Sequence, residues 1–163
     1  KKLSLDNSNE INAWKHAIKY LEKKREYNSD LFVSLPTVSP LKIKKDIHNA
    51  IKTIQKTKAD LVLGVTKSHR NPYFNMLKKS KNNNYELVIN DKIFVNRQKS
   101  PLIYDVTSII YVAKKDYVLK TKSLFEGKIS VIDVPKERSI DIDDIYDFKI
   151  AELIFKNRNE FKL

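Results

Sequence analysis

The sequence predicts an α/β fold, because short apolar strands alternate with amphipathic helices along 163 residues. Residues 30–35 and 60–66 are short, apolar and rich in strand-forming side chains, so both are expected to be buried strands. Residues 43–57 lie between them and carry isoleucines at helical spacing. A strand, a helix and a strand at this spacing predict a βαβ unit and hence a parallel pair. The length suits one domain with a real core.

The segment before the first strand predicts a helix over residues 9–26. Its apolar residues recur on one stripe, with Ser8 or Asn9 as the N-cap and Trp14 in the core. After the second strand, the pattern favours a mobile stretch at 78–84 and then a hairpin over 85–95 with Asn90-Asp91 as its turn. The rest of the chain predicts a buried strand at 108–113, a short helix at 114–121, a loop at 122–128 and a last strand at 129–134.

A loop with two prolines, residues 36–42, follows the first strand. Proline cannot continue a central strand, so this loop lies at the strand's carboxyl end, where ligands gather in α/β sheets. Thr37 and Ser39 could donate hydroxyl hydrogen bonds there, and Lys42 offers a cation for phosphate. An ordinary strand-to-helix turn is the alternative interpretation.

The loop after the second strand, residues 69–74, carries a titratable ring, His69, beside a fork-shaped cation, Arg70. It too follows the carboxyl end of a strand, which favours a ligand-binding role for both side chains. A purely structural histidine is the alternative.

The last strand leads to an Asp-Ile-Asp segment. Asp141 and Asp143 are two residues apart, so in an extended segment their carboxylates share a face, with Ile142 on the other. Two such carboxylates suit Mg²⁺, which prefers a few carboxylates together with substrate phosphates. The alternative is that the acids only start a helix, where they cap free N–H groups. That helix has five residues at helical spacing: Ile145, Phe148, Ala151, Glu152 and Phe155.

Composition narrows the classes of function. There is no cysteine, which excludes disulfides and thiolate zinc sites, and no apolar run approaches the length of a membrane span. The net charge of +12 invites a nucleic-acid partner, but the charge is nearly all lysine, spread over every segment, with only five arginines. We therefore expect no nucleic-acid surface and no membrane contact. A phosphate-bearing small substrate fits the charge equally well.

Several ordered motifs resemble the acylneuraminate cytidylyltransferases, the CMP-sialic acid synthetases. Pro36-Thr37 with Ser39-Pro40-Leu41-Lys42 resembles their Pro-Thr-Ser-Pro-Leu-Arg loop, and residues 139–143 resemble their Ser-Ile-Asp-Ile-Asp segment. Arg97-Gln98, Pro101 and Tyr111 fall at the family's spacing, and residues 69–74 are most similar to the branch that handles bacterial nonulosonic acids such as legionaminic acid. The resemblance covers essentially the whole chain.

The resemblance implies a mixed, mostly parallel Rossmann-like sheet of the nucleotide-diphospho-sugar transferase type. It implies a single domain over 1–163 with a dimerisation arm near 69–108, and a cytoplasmic homodimer that uses CTP, Mg²⁺ and a nonulosonic acid. Asp141 and Asp143 would hold Mg²⁺, Arg97 would meet an anionic group of the substrate, and Tyr111 and Phe125 would wall the sugar pocket. Thr37, Ser39, Lys42, His69 and Arg70 complete the predicted substrate contacts.

The chain also departs from the family. The usual glutamine before Pro-Thr has no counterpart, Lys42 replaces an arginine, and Thr107-Ser108 replaces Asn-Gly. The family's glycine-containing phosphate loop has no equivalent, since Gly64 and Gly127 are the only glycines. We therefore expect the chain to correspond to the carboxyl-terminal two-thirds of the family and not to turn over CTP alone. A degenerate or truncated domain that serves as a non-catalytic assembly or binding module is the rival interpretation.

Overall fold

The computed structural model describes residues 9–24, 29–90, 94 and 96–161. The described residues divide into two compact units, one formed by those within 1–65 together with those within 106–163, and one formed by those within 66–105. The helices are α1 (Glu10–Lys23), α2 (Lys44–Thr57), α3 (Lys115–Lys120) and α4 (Ile145–Lys156). The strands are β1 (Leu31–Ser34), β2 (Leu61–Lys67), β3 (Leu77–Lys79), β4 (Tyr85–Leu87), β5 (Tyr104–Lys114) and β6 (Ile129–Asp133). Every predicted helix is present; α1, α2 and α3 have shorter bounds than predicted, and α4 covers the predicted residues.

A four-stranded mixed sheet in the order β1-β5-β2-β6 organises the first unit. β2 and β6 are parallel, whereas β5 is antiparallel to β1. β5 also runs against β2, since Lys114 N–H donates to Asp60 O at 3.0 Å and Gly64 faces Thr107 and Ile109 further back along β5. The expected α/β class with a mixed Rossmann-like sheet is confirmed.

The predicted direct pairing of the first two strands is wrong. β1 and β2 run in the same direction, but β5 lies between them and hydrogen-bonds to both. The βαβ pattern in a sequence reports that the helix crosses the sheet and that the strands share a direction. It does not report whether a later strand inserts between them.

Hydrophobic clusters cover both faces of this sheet. On one face, Ile11, Trp14 and Ile18 of α1 and Val118 of α3 pack against the strands. On the other face, Ala50 and Ile54 of α2 pack on Val62, Val112 and Ile132, among others. Trp14 is 5% exposed and its ring lies 5.2 Å from that of Phe32, which confirms its predicted core position. The N-cap of α1 is Asn9, whose side chain accepts the N–H of Ile11 at 3.1 Å.

Gly64 marks the tightest approach in the middle of the sheet. A Cβ at this position would lie 2.7 Å from the hydroxyl oxygen of Thr107 and 3.1 Å from Val134. Thr107 is itself 2% exposed. Gly64 therefore serves close strand packing, and it sits inside β2, not in a loop that opens a helix.

The second unit contains a hairpin whose turn differs from the prediction. β3 and β4 pair antiparallel, with Leu77 opposite Leu87, so the turn is at residues 80–84 and not at Asn90-Asp91. Asn83 takes a left-handed φ of 61°, a conformation that asparagine tolerates well, and Ser80 N–H donates to Asn84 O at 2.8 Å. The asparagine run expected to be a mobile stretch is thus the turn itself. Asp91 lies outside the described residues.

Helix α4 is present, but only Ala151 of the five residues predicted at helical spacing is buried. Ala151 and Ile154 are its buried residues, whereas Ile145, Phe148 and Phe155 are 70%, 48% and 56% exposed. The apolar residues extend around most of this helix, so spacing alone could not identify the inner face. In the part of the chain that the structure describes, no helix is both long and apolar enough to cross a membrane.

Candidate active site

The carboxyl edge of the sheet brings three segments of the first unit together. The loop after β1 holds residues 36–42, and the segment after β6 holds the Asp-Ile-Asp sequence. β5 supplies the third segment, because Ser34 at the end of β1 pairs with Tyr111 and the earlier residues of β5 continue past that end. The predicted convergence at the carboxyl ends of strands is therefore present for these segments.

Asp141 lies at the meeting point of all three segments. Its Oδ1 accepts a short hydrogen bond from the hydroxyl of Ser39, and its Oδ2 accepts the backbone N–H of Ser108 at 3.3 Å. The next residue, Ile142, donates its N–H to Val38 O at 2.9 Å. Ser39 is fully buried, so the donor that fixes the carboxylate is itself held in place.

Lys42 organises the loop from inside. Its ammonium donates to Pro36 O at 2.6 Å and also to Ser39 O. Burial lowers the pKa of Lys42 below its ordinary value, and the negative charge of Asp141 partly offsets this. In this structure the cation therefore serves the loop's carbonyl groups, while the predicted phosphate contact remains a prediction.

Tyr111 approaches the same site from the core. Its ring is 7% exposed and lies 5.5 Å from that of Trp14, while its phenol is hydrogen-bonded with Ser108. Burial raises the pKa of the Tyr111 phenol, and the charges of Glu10 and Asp141 add to the effect. The hydroxyl end thus reaches the site while most of the ring belongs to the core.

Asp143 is exposed beside this arrangement, and the acids after it begin α4. Asp144 caps the helix through the N–H groups of Tyr146 and Asp147, at 2.7 and 2.9 Å. Asp147 in return accepts the N–H of Asp143 at 3.2 Å. The helix-start interpretation therefore holds for Asp144 and Asp147, whereas Asp141 is held by the loop and by β5.

The donor set fits Mg²⁺ only in combination with a substrate. Each carboxylate oxygen of Asp141 accepts one hydrogen bond from the described residues and has a second lone-pair site. No group of three or more His, Cys, Asp or Glu side chains suited to a metal occurs among the described residues. Two carboxylates completed by phosphate oxygens and water are a typical magnesium environment.

The remaining predicted site residues are not all brought to this edge. Thr37 is exposed on the loop itself. Phe125 is 58% exposed in the loop before β6, at the opposite edge of the sheet from Asp141, so the structure does not bring these two together.

His69 and Arg70 belong to the second unit, where both are exposed. Arg70 lines a cavity of about 400 Å³ within that unit, together with Lys67, Asn71 and Gln98. Arg97 begins a short 3₁₀ helix, Arg97–Lys99, but its side chain lies outside the described residues. Residues 66–105 nearly coincide with the predicted arm, and pairing with a second copy stays a prediction.

The sequence did not predict two of the contacts found near this site. The backbone of Ser108 holds Asp141, and its only signal was its place in the family's Asn-Gly position. Arg138 forms a buried, two-pronged ion pair with Asp46. The sequence patterns considered above assign no role to Arg138.

Comparisons with known proteins agree with the predicted resemblance. The chain is 28% identical over 164 residues to Post-translational flagellin modification protein B of Campylobacter coli, which covers 96% of this chain and 66% of that protein. It is 34% identical over 92 residues to CMP-N,N'-diacetyllegionaminic acid synthase of Campylobacter jejuni, covering 56% of this chain and 38% of that protein. No protein-family model matches.

The fold has a counterpart among solved structures. The crystal structure of 4-diphosphocytidyl-2C-methyl-D-erythritol synthase from Anaerococcus prevotii superposes with a TM-score of 0.56 at 14% identity, over 84% of this chain and 64% of that one. The chain thus spans about two-thirds of the flagellin modification protein and of this structure, and less of the legionaminic acid synthase. The predicted resemblance is therefore supported by sequence: the chain is similar to the flagellin modification protein and to the legionaminic acid synthase, and it shares the α/β fold of the Anaerococcus structure.

Proposed function

We propose that this chain works in a cytidylyltransferase that activates a sialic-acid-like nonulosonic acid, of the legionaminic type, with CTP. The anomeric oxygen of the sugar acid attacks the α-phosphorus of CTP. The bond from that phosphorus to the pyrophosphate oxygen breaks, and the hydroxyl proton passes to solvent. The products are the CMP-sugar and pyrophosphate.

The observation that carries the proposal is the Asp141 carboxylate, held by the Ser39 hydroxyl and the Ser108 N–H at the carboxyl edge of the sheet. Both donors are neutral, so they orient the carboxylate without cancelling its charge. Asp141 and Asp143 would hold Mg²⁺, which when bound neutralises charge on the phosphates. Positioning and charge neutralisation are the main protein contributions to such transfers.

The other predicted residues have supporting roles in this proposal. The rigid fork of Arg97 suits the carboxylate of the sugar acid or a phosphate. Lys42 keeps the loop ordered so that Ser39 stays against Asp141. His69 and Arg70 are proposed as further substrate contacts, and residues 69–108 would pair two copies into a homodimer. A CTP-dependent reaction is consistent with a cytoplasmic protein.

The direct experiment is an assay of the native protein in which this chain occurs, with CTP, Mg²⁺ and N,N'-diacetyllegionaminic acid. We expect equimolar CMP-sugar and pyrophosphate, resolved by anion-exchange chromatography. N-acetylneuraminic acid serves as the comparison substrate and is expected to react more slowly. Absence of any CMP-sugar from every nine-carbon 2-keto acid tested would overturn the proposal.

A non-catalytic assembly or binding module is the second candidate, and the glycines favour it. Gly64 lies inside β2 and Gly127 lies in the loop before β6, so neither forms a phosphate-binding loop at a helix start. Calorimetric titration with CTP and with CMP separates the two candidates. A module that has lost the reaction should bind neither nucleotide, with or without Mg²⁺.

A further inference from the structure

The most deeply buried charges of the first unit form one ion pair away from the proposed metal ligands. Arg138 is 6% exposed and Asp46 is 3% exposed. The guanidinium contacts both carboxylate oxygens, through a short bond from Nη1 to Oδ2 and a 2.9 Å bond from Nη2 to Oδ1. This two-pronged geometry restricts both distance and orientation, which a lysine cannot do.

The pair joins the two segments that build the site. Asp46 lies in the first turn of α2, directly after the 36–42 loop, and its Oδ2 also accepts the N–H of Ile43 at 3.0 Å. Arg138 closes the short 3₁₀ helix Lys136–Arg138, just before the Asp-Ile-Asp segment. A shift of either segment would therefore strain the ion pair.

The same two segments meet again at the site. The hydroxyl of Ser39 bonds Asp141, and Val38 O accepts the N–H of Ile142 at 2.9 Å. The 36–42 loop and the Asp-Ile-Asp segment are thus connected twice, once by the ion pair and once by these hydrogen bonds. Only a few residues of each segment separate the two connections. Two connections between the same segments restrict the movement of the Asp141 carboxylate.

Stability alone is a weak reason for such a pair. Removing two charges from water carries a large desolvation penalty, and apolar replacements of buried pairs are often neutral or stabilising. Fixing a particular arrangement is the better-supported use of a buried ion pair, and the two ends joined here are the ones that define the site.

We propose that Arg138 and Asp46 are positioning residues that hold Asp141 in register with the 36–42 loop. What the positioned carboxylate binds rests on the proposed function, whereas the positioning itself can be measured without any substrate. The relevant readouts are the backbone N–H groups of Ser108 and Ile142, which report the two contacts of the Asp segment.

The test is amide hydrogen exchange followed by NMR on the double variant Asp46→Asn with Arg138→Met. Asparagine keeps an acceptor for the Ile43 N–H, and methionine keeps the apolar stem, so both charges leave together. We expect exchange at Ser108 and Ile142 to be at least about tenfold faster, while Val62 in the central strand β2 keeps its rate. Equal rates, or equal acceleration at all three amides, would overturn the proposal.

A matched control removes an ion pair from the other edge of the sheet. The variant Asp60→Asn with Lys114→Met deletes the pair whose charged atoms lie 2.9 Å apart, and it should leave Ser108 and Ile142 unchanged. If the first double variant does not fold, Arg138→Lys retains the buried charge and loses the two-pronged contact. In Arg138→Lys, amide exchange should then be faster at Ser108 and Ile142 and unchanged at Val62. Unchanged exchange at all three amides would overturn the proposed positioning role.

The two proposals fail separately. Faster exchange in a protein that makes no CMP-sugar would retain the positioning role and reject the reaction. A working enzyme with unchanged exchange would do the reverse.

Discussion

The two edges of the central sheet use their carboxylates in different ways. At the amino edge, Asp60 accepts the Lys114 ammonium at 2.9 Å and the Lys128 N–H at 3.0 Å, and these bonds lower its pKa. At the carboxyl edge, Asp141 accepts only neutral donors among the described residues, while the nearby Lys42 ammonium bonds backbone carbonyls. One carboxylate is ion-paired within the fold, whereas the described hydrogen-bond donors of the other are all neutral.

Cavity size alone points to the edge opposite the proposed site. A cavity of about 900 Å³ opens at the amino edge, lined by Asp30, Lys58, Lys114 and Lys115 among others. Lys114 there pairs with Asp60, and Lys115 pairs with Glu22 at 2.9 Å. These two lysines therefore serve the fold, and the proposal rests instead on the oriented carboxylate of Asp141.

The largest expected effect is at the carboxyl edge. In the native protein, Asp141→Asn should lower Mg²⁺-dependent CMP-sugar formation by about 100-fold or more, because a bound metal supplies several kcal/mol of transition-state stabilisation. Asp143→Asn should also remove activity, since its carboxylate is the second proposed ligand. Circular dichroism should show both variants folded.

The control for this pair is Asp116→Asn, in the first turn of α3 at the amino edge. It should retain full activity. Near-full activity of both Asp141→Asn and Asp143→Asn would reduce the Asp-Ile-Asp segment to a helix start, and the difference between the two edges would have no functional meaning.

The smaller effect is at the amino edge and concerns stability. Asp60 has a folded-state pKa below its ordinary 3.8, so its ion pair stabilises the fold above that value and loses its contribution as the pH falls below it. Asp60→Asn should cost about 0.5 kcal/mol of unfolding free energy at pH 7, since a partly exposed pair is screened by solvent.

Urea denaturation at pH 7 and pH 3 checks this sign. The difference between wild type and Asp60→Asn should be present at pH 7 and should shrink at pH 3. A difference that grows on acidification would mean that the carboxylate is not stabilised by its lysine partner.

The sequence predicted much of this arrangement because local patterns carry it. Helical spacing placed Trp14 in the core, two prolines ended β1, and the Asp-x-Asp pattern identified the acidic segment after β6. The hairpin was misplaced because Asn90-Asp91 and the 82–84 asparagines are equally good turn formers, and only strand pairing chooses between them.

The missed features depend on contacts between distant residues. Arg138 and Asp46 are 92 positions apart, and the local sequence around either residue does not indicate that it pairs with the other. Ser108 acts through its backbone N–H, which every residue type except proline could supply. The exposed Phe125 was assigned by resemblance, and the direction of β6 places its loop at the opposite edge from Asp141.

The most direct test of the difference between the edges is paramagnetic broadening of amide signals by Mn²⁺, used in place of Mg²⁺ with CTP present. The account predicts that the amides of Ser108, Asp141 and Asp143 broaden at the lowest Mn²⁺ concentrations, before those of Asp60 and Lys128, and that Asp141→Asn removes this selectivity. Broadening that begins at the amino edge, or that persists at the carboxyl edge in Asp141→Asn, would contradict it.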